Sequence, residues 1–315
     1  MKSEIYEQFK ARASRDDEFN DWAGYREELT DFVISCLPPG GSLLILGAGK
    51  SNDLDLKRLA DHCGSITLSD YRPETAEEAF RQYELTPSEN LKFAASDYVG
   101  ITDEDYLEYT GLLLKTMEKL SGSQGDSDDE PGAADAMQGG TLEEAAGPEL
   151  AALTECLERI YEKNESYEID LGGETYDNAV ITGVHSQLNN SFRGLFQYVR
   201  KNVEERCGEI RFLEELNAAI FQTTRKHTEF LVNRFNKAVF AAVREGVIYG
   251  YEKNIIYTPA GKKDPVIGTV DGARQAGEAI ADLPLMDEDK TLNCIWPLSR
   301  RRGIKFAMYV CYLKV

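Results

Sequence analysis

The chain has 315 residues, 42% of them hydrophobic and 29% charged, which suits one large globular domain or a domain carrying an insertion. A net charge of −20 repels a phosphate backbone and disfavours a nucleic-acid partner, and no apolar stretch reaches the length of a transmembrane helix. Six scattered cysteines without a C-x-x-C pair, three separated histidines and an N-terminus lacking an apolar signal predict a cytoplasmic protein with reduced thiols, no metal and no membrane attachment.

The first 40 residues read as a helical cap. Apolar residues recur at helical spacing from Asp21 to Leu37 and stop at Pro38-Pro39-Gly40-Gly41. Residues 41–100 read as the first half of an α/β domain. A strand from Leu43 to Leu46 runs into Gly47-Ala48-Gly49, followed by a helix through Asp53 to Cys63. A second strand from Ser65 to Asp70 precedes a helix from Pro73 to Tyr83, and Asn90 to Asp97 reads as a third strand. Alternation at this rhythm implies a doubly wound, parallel sheet.

Residues 101–165 interrupt that rhythm. A helix from Asp103 to Leu120 and another from about Leu150 to Lys163 flank Ser121 to Glu149, a tract with eight acidic and no basic residues, expected to be a flexible linker. Residues 166–315 resume the α/β domain. Thr175 to Val184 supplies a fourth strand, and a long helical region runs from Asn190 to Glu245 with a break near Cys207-Gly208. Gly246 to Tyr257 reads as a fifth strand, followed by a mixed loop region. Strands at Thr291–Leu298 and Ile304–Val315, joined by Ser-Arg-Arg-Arg-Gly, must be antiparallel. The basic run Arg300-Arg301-Arg302 is too short to form a nucleic-acid surface. The fold class is therefore α/β, with a mostly parallel seven-stranded sheet ending in an antiparallel hairpin.

The glycine turn after the first strand sits where this class of sheet binds nucleotides. A triphosphate loop needs G-x-x-x-x-G-K-[ST], and Gly49-Lys50-Ser51 supplies only its end. A dinucleotide fingerprint needs G-x-G-x-x-G, but Asn52 stands at the third glycine, and Asp53 and Asp55 would oppose a pyrophosphate. That reading is weakened and stays open.

Ser42 to Leu56, with Gly47 and Gly49, resembles the first motif of class I S-adenosylmethionine-dependent methyltransferases, here of an uncharacterised bacterial-type branch. Asp70, which ends the second strand, lies 21 positions after Gly49, the spacing at which a carboxylate accepts hydrogen bonds from ribose hydroxyls. Leu91 to Gly100 resembles the third motif, with Asp97 toward the adenine amino group, and Tyr176 to Leu188 resembles the fourth, with Thr182 and Gly183 lining the transfer site. The resemblance implies a Rossmann-like methyltransferase fold, S-adenosyl-L-methionine as cofactor, and Gly47, Ala48, Gly49, Asp70, Tyr71, Ser96, Asp97, Tyr98, Thr182 and Gly183 as its binding residues. Ile45 stands where many members carry an acidic residue, and Ser51 where a third glycine is common.

His185, just beyond the fourth strand, is the candidate general base, with packing beside the cofactor as its structural alternative. Gln187, Asn189 and Asn190 either orient a polar acceptor or cap the next helix. Trp22, Tyr25 and Arg26 lie on the helix entering the fold, and Arg26 is a candidate partner for the cofactor's methionine carboxylate. The Asn/Asp-Pro-Pro-aromatic signature of DNA and protein-amide methyltransferases is absent after the fourth strand, where Thr182-Gly183-Val184-His185 stands. The expectation is methyl transfer to a small-molecule acceptor, with a basic protein as another acceptor. An NAD-type oxidoreductase and a non-catalytic binding protein of the same fold remain as competing readings.

Overall fold

The computed structural model describes residues 1–11, 18–121, 142–259, 264–281, 286–299 and 302–315. Most of the acidic tract, together with Arg300 and Arg301, lies outside the described residues. In chain order the elements are α1 (Lys2–Ala11), α2 (Glu18–Asp21), α3 (Ala23–Cys36), β1 (Ser42–Leu46), α4 (Leu56–His62), β2 (Ser65–Asp70), α5 (Pro73–Gln82) and β3 (Leu91–Ala95). Then follow α6 (Asp103–Leu120), α7 (Leu142–Lys163), β4 (Tyr176–Thr182), α8 (Ser191–Cys207), α9 (Leu213–Ala241) and β5 (Val243–Tyr257). The chain closes with β6 (Val266–Gly268), α10 (Ala273–Ala281), β7 (Met286–Ser299) and β8 (Ile304–Lys314).

The chain divides into two compact units, a sheet unit (Arg15–Val99, Glu168–Leu188, Thr228–Val315) and a helical unit (Met1–Ser14, Gly100–Tyr167, Asn189–His227). In the sheet unit the strand order is β3-β2-β1-β4-β5-β8-β7, with β6 paired to β5. Strands β1 to β5 run parallel, and β6, β7 and β8 pair antiparallel. Leu43 to Leu46 of β1 are at most 3% exposed, as a central strand covered on both faces requires. Chain order reverses between β1 and β4, so the carboxyl ends of those strands form the switch point at which such sheets bind ligands. Trp22, just before α3, and Tyr25, Leu29 and Val33 on it share one core cluster with Ile45, Val180, Ile248, Met308 and Trp296.

Among the described residues the sheet has eight strands, because β6 lies in the stretch read as loop, as does helix α10. Their short segments carry too little periodicity to announce themselves.

The helical unit contains α1, α6, α7, α8 and the first half of α9. Helix α6 opens with a capping box. The Thr102 hydroxyl oxygen accepts from Asp105 N–H at 3.3 Å, and the Asp105 carboxylate accepts from Thr102 N–H at 3.0 Å. Lys163 donates to the same carboxylate at 2.9 Å, tying α7 to α6. Tyr6 and Lys10 of α1 bond Asp103 at 2.7 and 2.9 Å.

This partition cuts the chain differently from the sequence-based one. Helix α1 joins the insertion helices while α3 joins the sheet, and α8 packs with α6 instead of extending the α/β half. Helix α7 begins at Leu142 and runs through Pro148, earlier than the expected start near Leu150. The expected break falls at Gly208, whose φ of +87° ends α8. Strand β5 begins at Val243, which pairs with Tyr176, inside the stretch expected to be helical as far as Glu245.

Candidate functional site

The turn after β1 is held by its own amides. Gly47 and Gly49 have φ of +63° and +48°, the left-handed region that glycine enters without cost. A Cβ on Gly47 would lie 2.6 Å from Val184 Cγ2, so the turn lies directly against the residue after Gly183. Ala48 N–H donates to Ser69 O at 3.0 Å, and Gly49 N–H donates to Asp70 Oδ2 at 2.9 Å. The other Asp70 oxygen accepts from Arg72 N–H at 3.1 Å. Gly47 N–H donates to the Tyr98 hydroxyl at 3.0 Å, and that hydroxyl donates to Ser69 O at 2.9 Å. Burial above all pushes the Tyr98 phenol well above its ordinary pKa, so it stays protonated as a fixed strut beneath the turn.

The structure thus brings Gly47, Ala48, Gly49, Asp70 and Tyr98 together. Ser96 lies beside them, its N–H donating to Asp70 O at 2.9 Å with the side chain buried. Asp97 Oδ1 accepts from Val99 N–H at 2.8 Å, shaping the turn after β3, and Tyr71 is 56% exposed at the end of β2. A carboxylate has room for about four hydrogen bonds. Asp70, with two backbone donors, keeps acceptor capacity toward a ligand.

The acidic residues after the turn face in two directions. Asp55 caps α4, accepting from Lys57 and Arg58 N–H at 3.1 and 3.2 Å. Asp53 instead accepts from Thr182 Oγ1–H at 2.8 Å, and burial raises its pKa despite that bond. Nearby cations are already engaged. Lys50 pairs with Glu78 at 2.7 Å, and Arg26 donates to Phe19 O and Asn52 O at 2.8 and 3.0 Å while lying over the Phe19 ring.

His185 lies just beyond the carboxyl end of β4. It is fully buried, and burial lowers its pKa to about 4, so it is neutral at physiological pH. Its Nε2 lies 2.9 Å from Asn236 Oδ1, Asn236 donates to the Tyr249 hydroxyl at 2.9 Å, and Phe235 and Tyr249 pack around the ring. A Cβ on Gly272 would lie 2.3 Å from His185 O, so the loop before α10 closes over the histidine backbone. The His185 ring is thus enclosed by these residues and neutral. Gln187 donates to Gly183 O at 2.8 Å. Asn189 and Asn190 belong to the helical unit, where Asn189 accepts from Tyr161 OH and donates to Thr224 O, and Asn190 precedes α8 without a side-chain cap bond.

Sequence reasoning missed Glu252 of β5 and Trp296 of β7. Glu252 is 1% exposed, and its Oε1 accepts from Ser186 Oγ–H at 2.6 Å. Trp296 presses its ring edge on Gly183, where a Cβ would meet Cζ3 at 2.8 Å. A carboxylate directly after the apolar run Val247–Tyr251 was the available signal. Among the described residues no group of three His, Cys, Asp or Glu could hold a metal ion, and no helix is long and apolar enough to cross a membrane.

No protein-family model and no curated protein matches the chain. Among solved structures it is similar to N-methyltransferase NodS from Bradyrhizobium japonicum in complex with S-adenosyl-L-homocysteine, at 11% identity over 98% of this chain and 97% of that one, with a TM-score of 0.41. It is also similar to an S-adenosylmethionine-dependent methyltransferase from Clostridium acetobutylicum, at 9% identity over 97% and 94% of the two chains, TM-score 0.37. A third is precorrin 8w decarboxylase of Methanobacterium thermoautotrophicum, at 11% identity over 91% and 90%, TM-score 0.34.

Proposed function

We propose that the chain is an S-adenosylmethionine-dependent methyltransferase acting on a small-molecule acceptor. The observation that carries this reading is the charge around the turn. Asp70 and Asp53 present carboxylates there, while Lys50 and Arg26 are tied to Glu78 and to backbone carbonyls. A pyrophosphate would meet those carboxylates without a free cation from either residue, whereas a nucleoside with a cationic tail would find favourable charge.

Asp70 would accept from ribose hydroxyls, with Tyr71, Ser96 and Asp97 toward the base and Gly47 to Gly49 beside the methionine end. Thr182 and Gly183 would line the methyl-transfer position. The cofactor supplies a methyl group on a sulfonium. What the protein adds is alignment of the acceptor and exclusion of water, for which the close fit of Val184 on Gly47 is suited. His185 would then hold the carboxyl end of β4 in place through Asn236 and take no proton.

Calorimetry with S-adenosylhomocysteine and with NAD tests the reading. Saturable S-adenosylhomocysteine binding is expected, and NAD binding without it would reverse the assignment.

A further inference from the structure

Gly183, just beyond β4, lies between the Trp296 ring, which packs with other aromatic rings, and a carboxylate that is only partly satisfied. Trp22 and Trp296 meet edge to face with centroids 5.0 Å apart, and Tyr25 stacks on Trp296 at 6.0 Å. Gly183 forms one wall, since a Cβ there would lie 2.8 Å from the Trp296 ring and 3.6 Å from Glu252 Oε1. Glu252 Oε2, Trp22 Nε1 and Trp296 Nε1 are all buried without a hydrogen-bond partner among the described residues. Both tryptophans are 8% exposed and Glu252 is 1% exposed. Burial raises the pKa of Glu252, against the hydrogen bond from Ser186.

An isolated buried carboxylate is costly unless something pairs with it. Aromatic faces beside an acidic group attract cations, and the two unfilled indole N–H donors suit an oxygen on the same ligand. The box adjoins Gly183 and Val184, and Val184 touches Gly47 of the turn.

We propose that Trp22, Tyr25, Trp296 and Glu252 form the acceptor subsite, that it binds a cationic amine, and that nitrogen is the methylated atom. The proposal rests on the methyltransferase reading. The bound ammonium gives one proton to the Glu252 carboxylate, its lone pair forms the N–C bond as the C–S bond breaks, and the positive charge passes from sulfur to nitrogen. Glu252 is then the protonated acid, and the sulfur product is neutral.

Trp22 and Trp296 are the only two tryptophans in the chain, so intrinsic fluorescence reports on this box. The full chain is titrated with benzylamine and with benzyl alcohol, equal in shape and different in charge at neutral pH. Saturable change with benzylamine at an affinity at least about tenfold above that for the alcohol is expected. In Glu252→Gln, which keeps a partner for Ser186, that preference falls to within about twofold. Equal binding of the two compounds, or an unchanged preference in Glu252→Gln, overturns the proposal. So does displacement of benzylamine by S-adenosylhomocysteine, which would place the box in the cofactor's methionine end. If Glu252→Gln does not fold, the wild-type preference and the competition decide. Calorimetric binding of S-adenosylhomocysteine is read separately, so failure here leaves the cofactor reading standing, and loss of cofactor binding is recognised as the other failure.

Discussion

Replacing Gly47 by alanine tests the geometry of the turn directly. The residue sits at φ +63°, where an L side chain costs about 1–2 kcal/mol. Its new methyl would lie 2.6 Å from Val184 Cγ2, an overlap that adds about 1–3 kcal/mol of overpacking. Alanine restricts the unfolded chain, which returns about 0.4–1 kcal/mol. Gly47→Ala should therefore lower stability by about 1–5 kcal/mol, read as a shift of the denaturation midpoint at constant m value. Val184→Ala alone should cost about 1–3 kcal/mol from lost burial and the cavity. The double variant relieves the overlap but not the backbone strain, so it should cost less than the sum of the singles by about 1–3 kcal/mol. Additivity within about 0.5 kcal/mol would show that the turn does not rest on Val184.

Asp70→Ala should weaken S-adenosylhomocysteine binding about tenfold or more by calorimetry, and unchanged affinity in the folded variant would move the ribose elsewhere. Tyr98→Phe removes the hydroxyl that accepts from Gly47 N–H and donates to Ser69 O, and should cost about 1–3 kcal/mol in denaturation; a cost near zero would mean the strut is unimportant. His185 ordinarily titrates near 6.5 and is held at about 4 when folded. Its neutral form is favoured in the folded state, so its contribution is full above the unfolded pKa and lost as pH falls toward 4, by at most about 3 kcal/mol. Wild type should lose stability relative to His185→Gln across that window, and parallel pH profiles would refute the depressed pKa.

Much of the architecture is written locally. The spans Ser65–Asp70 and Asp103–Leu120 are read from the sequence at the boundaries the structure shows, because their residue pattern is local. The two close-set glycines and a carboxylate ending the next strand also lie within one βαβ unit. Their meeting at Gly49 and Asp70 follows from parallel pairing of β1 with β2.

Other features depend on which strands and helices become neighbours. A histidine beyond β4 reads alike as open base or packed core residue until Asn236, Tyr249 and the Gly272 loop surround it. The assignment of α1 to the helical unit and α3 to the sheet is equally unreadable, since both are amphipathic segments whose partners lie far along the chain. Sequence alone determined the alternation of strands and helices, the glycine turn and the acidic balance, because periodicity, turn chemistry and charge are properties of neighbouring residues. Only the tertiary structure brought Glu252, Ser186, Gly183 and Trp296 to one place, because that meeting depends on β5 pairing with β4 and on β7 reaching back across β8.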